Sequence, residues 1–151
     1  QHMRKMKVGK VTFTEAYKAV HEYRQKFPEK AVTFYAQNYP AMGWAVFMAG
    51  GSCPVIPCTD KAFLKDAAAM EVEETDTDNY KKMVKSDIGS IIYSKSGTEI
   101  PVQLSSGKYI LKYIHPASGK IETINKSLKI NGLYNLKVPD KKEGIYWFHK
   151  L

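Results

Sequence analysis

The sequence predicts an α+β protein in which a helix-rich, partial α/β section precedes an antiparallel β-sandwich. Three observations predict it. Residues 13–27 and 61–70 carry apolar side chains at helical spacing. The stretch Tyr35–Pro57 is almost free of charge inside a chain that is 25% charged, so it needs protein around it. Beyond Ser86 the apolar residues recur with period two between regularly spaced turn signals.

The first helix is announced by Thr12 and Glu15, a capping-box pair, followed by Ala16, Ala19, Val20, Tyr23 and Phe27, and Pro28 ends it. Next comes AVTFYA, a short apolar run with β-branched and aromatic residues that suits a strand buried on both faces. Helix followed by buried strand is the grammar of an α/β unit. Pro40 to Ala49 reads as a second helix, with Pro40 in its first turn and Gly50 and Gly51 at its end. Asp60 is placed to cap a third, Lys61 to Met70, whose Phe63, Leu64, Ala67, Ala68 and Met70 supply a buried stripe.

The acidic stretch EVEETDTDNY then marks the best boundary: a section of residues 1–78, with an acidic linker from about 71, and a second section of residues 79–151. Its carboxylates lack the glycine and terminal glutamate of an EF-hand loop, which favours a solvated linker over a calcium site. In the second section SIIYS, EIPVQL, KYILKYI, KIETI, SLKI, YNLKV and GIYWFHKL are strand-like runs, separated by turns such as Pro116-Ala117-Ser118-Gly119 and Asn131-Gly132. Their number and spacing indicate an antiparallel sandwich. Tyr109, Leu111 and Tyr113 fall on one face of their strand, and Lys108, Ile110, Lys112 and Ile114 on the other.

The formal charge of +8 comes from lysines scattered through these runs without a basic cluster or a recognisable basic module, which argues against a nucleic-acid binder. Cys53 and Cys58 read as two buried thiols, with a short-loop disulfide as the alternative. The histidines (His2, His21, His115, His149) are dispersed and none has ligand spacing to the cysteines, so no metal site is expected, and no cofactor is assigned. No apolar run is long enough to cross a bilayer, and the first residues lack the order of a signal peptide.

Several segments together resemble a known family. Gly43-Trp44-Ala45, Phe47-Met48-Ala49-Gly50-Gly51-Ser52, Phe63-Leu64-Lys65-Asp66-Ala67-Ala68, Ile92-Tyr93-Ser94 with Ser96-Gly97, and Tyr113 to Lys120 occur in order over residues 28–151. This order resembles the C-terminal end of bacterial glycoside-hydrolase-superfamily proteins, of the kind common in gut Bacteroides, in which a (β/α)8 barrel (a TIM barrel) precedes a β-sandwich sometimes labelled collagen-binding. The resemblance implies a secreted or periplasmic protein of carbohydrate processing and a polysaccharide or oligosaccharide ligand. It also implies that a missing barrel portion, or a second chain, completes the helical section. The hairpin Tyr113–Lys120 has a sufficient physical reason as a turn device, through Pro116, Ser118 and Gly119.

A retaining glycosidase needs two carboxyl groups about 5 Å apart, at the C-terminal ends of barrel strands. In the family resembled, the tip of the strand matching AVTFYA often carries the nucleophile glutamate, whereas this chain has Gln37. Glutamine can hydrogen-bond a sugar hydroxyl and cannot form a glycosyl-enzyme ester. A non-catalytic relative, an engineered inactivation and a shifted strand alignment with the catalytic pair elsewhere all fit that substitution. No catalytic residue is therefore assigned. Gln37, Asn38, Tyr39 and Trp44 are expected either as one wall of a saccharide cleft or as a buried turn with a core aromatic. The rival reading is an independent carbohydrate- or matrix-binding module, with Tyr109, Tyr113, Tyr146 and Trp147 as its aromatic platform.

Overall fold

The computed structural model describes residues 11–34 and 40–151. Helix α1 (Phe13–Lys26) starts as its sequence dictates: the Glu15 amide donates to Thr12 Oγ1 at 3.2 Å, and the Thr12 amide donates to Glu15 Oε2 at 2.8 Å. It buries Ala16, Tyr17 and Val20. The strand expected over 31–36 is not formed at 31–34, where Val32 exchanges hydrogen bonds with Ser52; residues 35 and 36 lie outside the described residues.

Helix α2 (Pro40–Met48) is enclosed as its lack of charge requires, with Trp44, Ala45, Val46, Phe47 and Met48 all buried. The loop after it folds back over the helix so closely that a Cβ on Gly43 would lie 1.7 Å from the Val55 carbonyl oxygen. Only glycine fits there. Helix α3 (Lys61–Ala69) is capped by Asp60, whose Oδ1 accepts the Phe63 amide at 2.8 Å; of the stripe expected to be buried, Phe63, Ala67 and Met70 are, whereas Leu64 and Ala68 are exposed. Cys53 and Cys58 are free thiols, the first exposed and the second buried.

Eight strands follow: β1 (Glu71–Glu73), β2 (Tyr80–Lys85), β3 (Gly89–Ser94), β4 (Glu99–Gln103), β5 (Gly107–Ile114), β6 (Ile121–Ile130), β7 (Leu133–Lys137) and β8 (Gly144–Lys150). Six form one antiparallel sheet in the order β1-β2-β3-β8-β5-β6, and β4 pairs with β7 in a separate two-stranded sheet. The architecture is thus α+β with a sandwich-like pair of antiparallel sheets. The acidic stretch expected as a linker opens with β1, hydrogen-bonded to β2. KIETI and SLKI, read as two runs, are one strand, β6, whose pairing with β5 shifts register around Leu111.

Period-two alternation assigns the sheet's two faces. Ile91, Tyr93, Ile114, Ile145 and Trp147 pack with the three helices in one core. Ile92, Tyr109, Leu111, Tyr113, Tyr146 and Phe148 pack with Ile100, Val102, Leu136 and Val138 of the small sheet and its flank in a second. The large sheet is therefore the middle layer, covered by helices on one side and by β4 and β7 on the other.

Strand β2 was not legible because Lys81 and Lys82 resemble surface residues, yet both are buried. Each has local compensation for burying a charge. Lys81 Nζ donates to the Thr77 carbonyl at 2.9 Å, pairs with Asp78 at 3.3 Å and lies 4.9 Å from the Tyr17 ring centre. Lys82 Nζ pairs with Glu73 and donates to the Pro101 carbonyl at 3.2 Å. The acidic segment is thereby drawn around lysines.

Candidate functional site

Of the residues expected to line a saccharide cleft, Gln37, Asn38 and Tyr39 lie outside the described residues. Trp44 is described and fully buried. Its ring meets Phe47 and Phe63 edge-on at centroid distances of 5.5 and 6.1 Å, and its Nε1–H donates to the Pro116 carbonyl at 2.8 Å. A buried indole N–H needs such an acceptor, and this one comes from the hairpin 72 positions away.

That hairpin is a tight device. The Gly119 amide donates to the His115 carbonyl at 2.8 Å, the His115 amide to the Lys120 carbonyl at 2.9 Å, and Gly119 itself has φ +71°. A Cβ on Gly119 would come within 2.5 Å of the Pro57 carbonyl oxygen, so its lack of a side chain lets the turn seat against the loop after α2. Two segments singled out in the sequence, Gly43–Ser52 and Tyr113–Lys120, thus meet in one seam.

Beside the seam is a polar cluster that sequence reasoning missed. Tyr93 Oη donates to Glu143 Oε1, and Tyr113 Oη donates to the Glu143 backbone carbonyl at 2.7 Å. His115 Nε2 bonds Glu122 Oε1 at 2.8 Å, and Lys142 Nζ stands 3.4 Å from Glu122 Oε2 and 4.8 Å from the Tyr113 ring centre. Burial, then the Glu143 carboxylate, pushes the Tyr93 phenol well above its ordinary range, and burial followed by the charges of Glu122 and Glu143 raises Tyr113. The His115 hydrogen bond, with help from Lys142, holds Glu122 below the usual carboxylate range. At neutral pH the phenols keep their protons and the Glu122 carboxyl its charge, an arrangement suited to holding β5, β6 and β8 together.

Carboxylates elsewhere also serve structure. Asp60 caps α3. Asp66 is buried and accepts from both Trp147 Nε1 at 2.9 Å and His149 Nδ1 at 2.7 Å, tying α3 to β8. Among the described residues no group of three or more His, Cys, Asp or Glu side chains could hold a metal ion. Tyr109, Tyr113, Tyr146 and Trp147, the four aromatics considered as a platform, are all buried.

A family model described as "Domain of unknown function (DUF6298)" matches residues 1–70. No curated protein matches the chain. Among solved structures, one titled "Glycoside hydrolase" is similar at a TM-score of 0.40 and 14% identity, over 55% of this chain and 20% of that one. Another, titled "Crystal structure of CapF with inhibitor 3-isopropenyl-tropolone", is similar at a TM-score of 0.24 and 13% identity, over 92% of this chain and 44% of that one. The chain therefore spans a fifth of the first structure and under half of the second.

Proposed function

We propose that this chain is a structural, accessory part of a secreted glycoside-hydrolase-like protein of carbohydrate processing, non-catalytic by itself, whose β-sandwich braces the helical section. The observation that carries the reading is the seam: Trp44 donates to Pro116, and Gly119 seats against Pro57. Trp44, Pro116 and Gly119 lie in segments on which the sequence resemblance rests. A bracing role asks for such a contact, specified by a hydrogen bond and a glycine instead of by apolar area alone.

Two measurements test the reading. The chain should turn over no aryl-glycoside above buffer; turnover abolished by Asp60→Asn or Glu99→Gln in a protein that stays folded would overturn it. Gly119→Ala should lower the thermal midpoint, because the added methyl meets the Pro57 carbonyl and the positive φ disfavours alanine. Each 1 kcal/mol lost corresponds to about 2–4 °C for a chain of this size. An unchanged midpoint would show that the seam does not brace the fold.

A further inference from the structure

A cleft of about 640 Å3 opens between α1 and α3, bordered also by the C-terminal end of α2. Arg24 stands on the α1 wall, Leu64 and Ala68 on the α3 wall, and Phe47, Met70 and Met83 also line it. The volume lies within the roughly 300–1,000 Å3 range of small-molecule sites, and such sites combine an apolar lining with few polar groups, as this one does.

The polar groups are not equivalent. His21 Nε2 and Gln25 Nε2 both bond Glu74 Oε1 at 2.7 Å, so they are already engaged with a carboxylate of the chain itself. Arg24 differs. Its Nη1 donates to the Pro28 and Lys30 carbonyls at 3.3 and 3.1 Å, which fixes the guanidinium in place. Among the described residues no acceptor engages its Nε or Nη2. A guanidinium anchored through one nitrogen, with donors left over beside an apolar cleft, is preorganised for a carboxylate.

We propose that this cleft binds an amphipathic monocarboxylate, its carboxylate on Arg24 and its apolar body against Phe47, Leu64, Met70 and Met83. Glu71, which also lines the cleft, disfavours a second acidic group on the ligand. The proposal goes beyond the bracing role and does not depend on it.

Octanoate, octan-1-ol and octanedioate titrated calorimetrically into the full chain test it. Octanoate should bind more tightly than either of the others. Arg24→Gln should weaken octanoate by about tenfold, the scale of one lost charge-assisted hydrogen bond, and leave octan-1-ol unchanged. Because Arg24 also holds the turn at 28–30, Ala68→Phe provides an independent check: it fills the cleft from α3 and should abolish binding of octanoate and octan-1-ol alike, with an unaltered far-UV spectrum. Absence of octanoate binding, equal affinity for the acid and the alcohol, or unchanged binding in Ala68→Phe would each overturn the proposal.

Discussion

Asp66 shows how much one side chain holds here. Its Oδ2 receives the N–H groups of Trp147 and His149, residues 81 and 83 positions away, and the Trp147 ring it anchors is fully buried against Phe63. Removing the carboxylate leaves the indole N–H buried without an acceptor, and an unmet buried donor costs more than a hydrogen bond contributes. Asp66→Ala should therefore cost about 3 kcal/mol, read as a lower urea midpoint at unchanged slope. Asp66→Asn, which keeps an acceptor oxygen, should recover more than half of that. A loss below about 0.5 kcal/mol for Asp66→Ala, the range of ordinary surface substitutions, would show that the network does not stabilise the fold. The sequence placed Asp66 within a helix but gave no sign of its partners, because nothing local encodes a contact across the whole chain.

Among the elements, those whose signal is local were legible and those whose signal is tertiary were not. The capping box of α1, the Asp60 cap of α3, the uncharged α2 and the alternation of β5 and β8 each follow from neighbours in the chain. Strand β2 escaped because its buried lysines are neutralised by β1 and the loop beside it, and the Thr75–Asp78 region read as a linker for the same reason. Of the candidate site, only Trp44 falls on described residues, and what the sequence could not supply was its acceptor, a carbonyl on the distant hairpin. That hairpin carries a pH prediction. Glu122, on β6, has a folded-state pKa below its ordinary 4.5, chiefly through His115 on the other arm and then through Lys142. A depressed carboxyl pKa contributes stability that is fully present above the unfolded value and is lost as the pH falls through the folded value. Wild type should thus lose more stability than Glu122→Gln between pH 6 and pH 3, measured as the difference in thermal midpoint at each pH. Parallel pH profiles for the two proteins would show that the pair contributes nothing.

At the scale of the whole molecule, the decisive feature is that the helices and the large sheet share one core. Residues of α1, α2 and α3 pack against Met83, Ile91, Tyr93, Ile114, Ile145 and Trp147, and Phe13 stacks on Tyr93 at 4.0 Å. The sheet cannot shed the helices without exposing that face, at about 25 cal/mol for each Å2 of apolar surface, against a total stability of only about 5–15 kcal/mol for an ordinary domain. The boundary read near residue 78 therefore separates segments of sequence whose stabilities are coupled. Helical ellipticity and Trp147 fluorescence should be lost in one coincident transition on urea titration, the mark of a single cooperative unit. Trp44 emits from the same core and contributes to that signal, and Phe34→Ala, on the partly buried fringe of the core, provides a mild destabilisation under which the curves must shift together. A fragment of residues 79–151 alone should lack the near-UV signature of a packed Trp147, since Phe63 and Asp66, its partners on α3, are gone. Two resolved transitions, or a fragment with native near-UV ellipticity, would mean that the sheet folds by itself and that the helical layer is added to an already stable sandwich.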